Sequence, residues 1–88
     1  MSQITILYFA AASTAAGRTS ERIALPDNKP LSLTALGALL GERYARAGML
    51  DILACSQWSV DAEMVDDVEN IMLKGGEEVA VICPVSGG

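Results

Sequence analysis

The stretch LSLTALGALLGERYARAG, residues 31–48, decides the fold. Leu33, Leu36, Leu40 and then Tyr44 or Ala47 recur every three or four residues, and Leu39 widens the stripe, so one side of an amphipathic helix is apolar. Ser32 can cap the start, and Gly48 can supply the left-handed residue past the end. Gly37 and Gly41 each weaken this helix by about 1 kcal/mol relative to alanine. Lying along one face, they also permit close packing onto a sheet.

On either side the apolar period changes. Upstream, QITILYF (residues 3–9) is rich in β-branched and aromatic side chains with apolar residues on both faces, as in a central strand of a covered sheet. AAASTAAG (10–17) reads as a short helix or turn closed by Gly17. In SERIALP (20–26), Glu21, Ile23 and Leu25 alternate with Ser20, Arg22 and Ala24, which makes a half-buried second strand. PDNKP (26–30) is a turn. Downstream, ILACS (52–56) reads as a third strand and QWSVDAEMV (57–65) as an irregular strand or hairpin arm. DDVENIMLKGGEE (66–78) holds a short apolar turn and a Gly75-Gly76 hairpin signal. EVAVICP (78–84) is the last strand, with Val79, Val81 and Cys83 on one face and Ala80 and Ile82 on the other. Two strands, a crossover helix and further strands in 88 residues suit an α+β roll of the β-grasp kind. Its mixed sheet carries one main helix on one face, with residues 1–83 as the domain and 84–88 as an extended tail.

The totals narrow the function. Half of the chain is apolar, so one small core can form, and with only Tyr8, Phe9, Tyr44 and Trp58 as aromatics it is mainly aliphatic. The absence of histidine removes the usual general base, the commonest metal ligand and every Ser-His or Cys-His pair, which argues against independent catalysis. Net charge is -5, concentrated after residue 50, where Lys74 is the only basic side chain. Nucleic acid and anionic membranes are poor partners for that surface, and a basic protein suits it better. Cys55 and Cys83 are too few for a disulfide framework and too far apart for a zinc motif, so they are expected as separate buried thiols in a cytoplasmic protein. The opening MSQITILYFAAASTAAG has no basic residue before its apolar run and is read as part of the fold, not as a signal peptide. Asp66, Asp67 and Glu69 lack the looped spacing of a calcium site and read as a solvated face, so no metal is expected. Lys74 reads as a turn lysine. Trp58 is expected in the core unless it is exposed as an interface anchor.

The tail ICPVSGG (82–88) carries the chemistry. Pro84 fixes φ and pushes Cys83 towards an extended conformation, so the chain leaves the sheet pointing outward. The four residues after Pro84 reach about 14 Å when extended. Gly87 and Gly88 have no Cβ and can pass a narrow channel. The candidate reactive group is the Gly88 carboxylate, which becomes electrophilic only as a mixed anhydride such as an acyl adenylate. Sulfide then gives a thiocarboxylate, a thiol a thioester, and an amine an amide.

ITILYFA (4–10) and GGEEVAVICPVSGG (75–88) resemble the small subunit of molybdopterin synthase, and the order and length of the elements between them agree. The resemblance implies a β-grasp, ubiquitin-like sulfur carrier for molybdenum cofactor biosynthesis. It implies that Gly88 is adenylated and then thiocarboxylated, with Pro84, Val85, Ser86 and Gly87 inserted in the active site of a large subunit. The implied partners are that subunit, in a heterotetramer, a ubiquitin-activating-type adenylating enzyme and a sulfur donor protein. No cofactor is bound permanently, and ATP is consumed by the activating enzyme. Sulfur would pass to a cyclic pterin phosphate precursor, with the catalytic groups on the large subunit. Cys83 stands where the family often has a first proline, and Glu77 where it has aspartate. The rival readings are a thiamine-type sulfur carrier, a ubiquitin-like protein modifier and a non-covalent interaction domain.

Overall fold

The computed structural model describes residues 2–82. In chain order these form β1 (Gln3–Tyr8), α1 (Ala11–Ala16), β2 (Ser20–Ala24), β3 (Leu31–Ser32), α2 (Leu33–Arg43), α3 (Met49–Ala54), β4 (Gln57–Val60), β5 (Glu63–Met64), β6 (Met72–Leu73) and β7 (Glu78–Ile82). The main sheet has the order β2-β1-β7-β4-β5, and β3 and β6 form a separate two-stranded pair. β1 runs antiparallel to β2 and parallel to β7, whereas β4 runs antiparallel to both β7 and β5. The parallel pair in the middle requires the crossover that α2 supplies. The result is the mixed α+β roll of the β-grasp kind expected from residues 31–48.

The core lies between the sheet and its helices. Ile4 and Ile6 of β1, Val79 and Val81 of β7, and Leu36 and Leu40 of α2 are all buried to within 1 %. Each such side chain contributes about 1.5–3 kcal/mol by leaving water. Among the described residues no helix covers the other sheet face, and Thr5, Leu7, Ala80 and Ile82 on it are half-buried. β1 is therefore central but covered on one face only, a correction to its two-faced apolar reading.

At the head of α2, the Ser32 hydroxyl accepts from the Ala35 amide at 3.0 Å, the expected cap. The regular helix stops at Arg43, and a 3-10 turn over Ala45–Ala47 carries the chain to Gly48, whose φ of +76° is the left-handed residue foreseen there. Trp58 is buried in the core.

Three expectations are corrected. ILACS is not a strand: residues 52–54 belong to α3, where Met49 and Leu53, four residues apart, turn inward and Leu50 stays 63 % exposed, and Cys55 caps its end. A short apolar run has no period that separates the two states, and packing against α2 decides it. Gly41 accordingly faces a helix and not the sheet, since a Cβ there would lie 3.0 Å from Leu50 Cδ1, while only Gly37 faces the sheet through Trp58. Gly75-Gly76 does not join a hairpin, because β6 pairs with β3 and the Gly76 amide donates to the Gln3 carbonyl at 2.7 Å.

Candidate functional site at the end of the last strand

β7 is the element that would deliver the tail. Its entrance is fixed by Glu77, whose two carboxylate oxygens accept from the backbone amides of Lys74 (2.8 Å) and Gly75 (2.7 Å). The Glu77 carbonyl then accepts from Thr5 at 3.0 Å and starts the parallel ladder with β1. The Glu77 carboxylate thus closes the turn itself. Lys74 is exposed, as a turn lysine would be. Gly75 has a φ of +125°, and a Cβ on it would stand 2.9 Å from Ser2 Cβ, so a side chain there would clash as well as strain the backbone.

From there β7 is gripped on both sides. Val81 lies opposite Tyr8 of β1 and Trp58 of β4, and Ile82 lies opposite Gln57. Val79 and Val81 are fully buried, which anchors the strand almost to its end. Ala80 and Ile82 point to the open face. That face also carries Leu7 by the same alternation, and Phe9 and Met64 are about half exposed near its ends. At Ile82, the last described residue, the strand lies between β1 and β4 beside an apolar strip. Pro84, Val85, Ser86, Gly87 and Gly88, with Cys83, lie outside the described residues.

A cluster that periodicity did not assemble sits at the same end of the sheet. Glu21 on β2 has a side chain only 7 % exposed. Its Oε1 accepts from the hydroxyls of Tyr8 and Tyr44, each at 2.6 Å, and its Oε2 accepts from Arg43 at 2.7 Å. Arg18 approaches Oε2 at 3.7 Å. The two tyrosine rings meet edge to face at 6.2 Å. Burial pushes the Glu21 carboxyl up, but the hydrogen bonds from Tyr44, Tyr8 and Arg43 outweigh it and hold the group below its ordinary value. Burial and the adjoining carboxylate raise both tyrosines. The alternation of Glu21 with Ile23 and Leu25 did point it inward; its three partners come from elements distant in sequence.

Other candidates recede. Among the described residues no three His, Cys, Asp or Glu side chains are grouped to hold a metal ion. Asp66, Asp67 and Glu69 are exposed, and Asp67 accepts from the Asn70 amide. Cys55 is exposed, against the expectation of a buried thiol, because it follows α3 at its outer end instead of standing in a strand. Among the described residues no helix is long and apolar enough to cross a membrane.

The profile of the ThiS family matches residues 6–88. A molybdopterin synthase sulfur carrier subunit from Mycosarcoma maydis is 41% identical over 87 residues, covering 97% of this chain and 92% of that protein. Subunit 1 in the protein-protein complex of subunits 1 and 2 of molybdopterin-converting factor from Helicobacter pylori is similar in fold, with a TM-score of 0.66 at 22% identity over 98% of this chain and 99% of that one. The small archaeal modifier protein 1 of Methanosarcina acetivorans superposes with a TM-score of 0.72 at 17% identity, over 100% of this chain and 98% of that one. With a family profile spanning β1 to the final glycine and a relative sharing about two-fifths of its residues, the chain belongs to the ThiS family, alongside the molybdopterin synthase sulfur carrier subunits.

Proposed function

We propose that this chain is the sulfur carrier subunit of a molybdopterin synthase and that its working group is the carboxylate of Gly88. In this reading, residues 1–83 are the folded carrier and residues 84–88 the delivered tail. One observation carries most of the weight. β7, the strand that leads into CPVSGG, pairs with β1 up to Val81 and with β4 up to Ile82, and buries Val79 and Val81 completely. A tail anchored this way transmits docking of the body into a defined position for its end. The full-length similarity to a sulfur carrier subunit supports the same reading.

The chemistry then divides between proteins. A Gly88 carboxylate oxygen attacks the α-phosphorus of ATP in an adenylating enzyme, and pyrophosphate leaves. Sulfur at the oxidation level of sulfide displaces AMP and leaves a thiocarboxylate. In the large subunit, that sulfur passes to a cyclic pterin phosphate precursor, and water restores the carboxylate. This chain contributes the acyl group and the docking surface; acid, base and cationic groups are supplied by the partner. The apolar strip formed by Leu7, Ala80 and Ile82 beside the tail is the surface proposed to meet both partners.

Intact mass of the protein isolated from cells containing its activating system tests the reading. A species in which sulfur replaces one oxygen, localised to Gly88 and absent after deletion of Gly88, is the expected result. Unmodified chain alone, even with ATP, activating enzyme and sulfur donor supplied, would refute it; conjugates to lysines of other proteins would favour the modifier reading.

A further inference from the structure

The charge of this chain is unevenly placed. From residue 51 onward, eight acidic side chains face one basic one, whereas residues 1–50 hold five basic and three acidic ones. Asp61, Glu63, Asp66 and Asp67 gather around the β4–β5 edge of the sheet. Arg18 and Arg43 meet at Glu21 on the opposite side, where β2, the other edge strand, begins and α2 ends.

That basic group lies close to the described end of β7. The Thr19 carbonyl, next to Arg18, accepts from the Tyr8 amide at 2.8 Å, and Tyr8 in turn lies opposite Val81. Two strand spacings, about 10 Å, separate the start of β2 from the end of β7. Glu21 fixes the arginines from beneath. Its Oε1 is occupied by two hydroxyls, so both guanidinium groups converge on Oε2, Arg43 at 2.7 Å and Arg18 at 3.7 Å. A single carboxylate offsets one of these two cations, and the arginine side chains remain 44% and 55% exposed. A net positive charge with a preset geometry is left near the end of β7 in a chain whose total is -5.

We propose that Arg18 and Arg43, positioned by Glu21, form a cationic lip that docks on an acidic surface bordering the cleft of the large synthase subunit that takes the tail. The inference rests on the sulfur carrier reading, and it names the chemistry of one side of that contact. Being on the rim, such a contact acts mainly on the rate of association and on its salt dependence. The opposite sign of the β4–β5 edge turns the molecule so that the lip leads.

The test is the association of the full-length chain with the large subunit of the same organism, followed by stopped-flow over a range of ionic strengths. Arg18→Gln is the informative variant, because it leaves the three shorter bonds to Glu21 in place and so leaves the thermal midpoint unchanged. It should slow association about threefold at low salt, and the Arg18→Gln, Arg43→Gln double variant about tenfold, with a flatter salt dependence for both. Lys74→Gln, at the far end of β7, should have a much smaller effect. Association of the arginine variants at the wild-type rate at every salt concentration would overturn the lip while leaving the carrier reading intact, as would an equal loss in Lys74→Gln. A wild-type chain that does not bind the large subunit would overturn both.

Discussion

A carboxylate as enclosed as that of Glu21 is costly unless every lone pair it keeps is used. Two tyrosine hydroxyls at 2.6 Å and a guanidinium at 2.7 Å meet that requirement. Hydrogen bonds to a charged group contribute about 1.5–3 kcal/mol each when one partner is removed. Tyr8→Phe should accordingly lower stability by about 2 kcal/mol in urea unfolding, with little change in m. The linkage runs in two directions. Because Glu21 is held below its unfolded value, its contribution is complete above the ordinary glutamate value of about 4.3 and is lost as pH falls through the lower folded value. Because Tyr8 and Tyr44 are raised, their contribution is complete below about 10 and is lost at higher pH. Thermal midpoints should therefore fall on both the acid and the alkaline side, and in Glu21→Gln the acid-side fall should be shallower, since the group that titrates there is gone.

At the scale of elements, α2 holds a residue that could be improved. A Cβ at Gly37 would meet Trp58 Cζ2 at 3.5 Å, which is ordinary contact, so alanine fits. Gly37→Ala should raise stability by about 0.5–1 kcal/mol through helix propensity, read as a higher urea midpoint. Gly41 differs, since its Cβ would reach Leu50 Cδ1 at 3.0 Å and Leu50 Cβ at 3.4 Å and so push α3 away. The two glycines look equivalent in LTALGALLGER. Only the placement of α3 separates them.

At the scale of the whole molecule, the sheet order puts β7 between β1 and β4, so the strand that leads to the tail is its best-supported part. Work at the tail need not disturb the core. On the proposed carrier function, replacing Gly87 with leucine should abolish sulfur transfer while leaving far-UV circular dichroism and the thermal midpoint unchanged. A large loss of helix or sheet signal in that variant would mean that the tail belongs to the fold and is not an appendage to it.

Apolar spacing determined β2, α2 and the two faces of β7, because each is a local match to a backbone period; Ser32 and Gly48 were legible as cap residues, and β1 from its β-branched and aromatic content, though not which of its faces is covered. The closing CPVSGG is the source of the proposed working group, and that proposal rests on residue chemistry, glycines without a Cβ and a carboxylate, not on the structure. Tertiary structure alone decided the rest. Residues 52–54 joined α3, which packs against α2, β6 went to β3 and not to β7, and Cys55 came to the surface with the end of α3. Glu21 met Tyr8, Tyr44 and Arg43 only when β1, β2 and the end of α2 converged. Pairings between residues 13 to 23 positions apart leave no periodic trace in a single sequence, and so they were settled by packing.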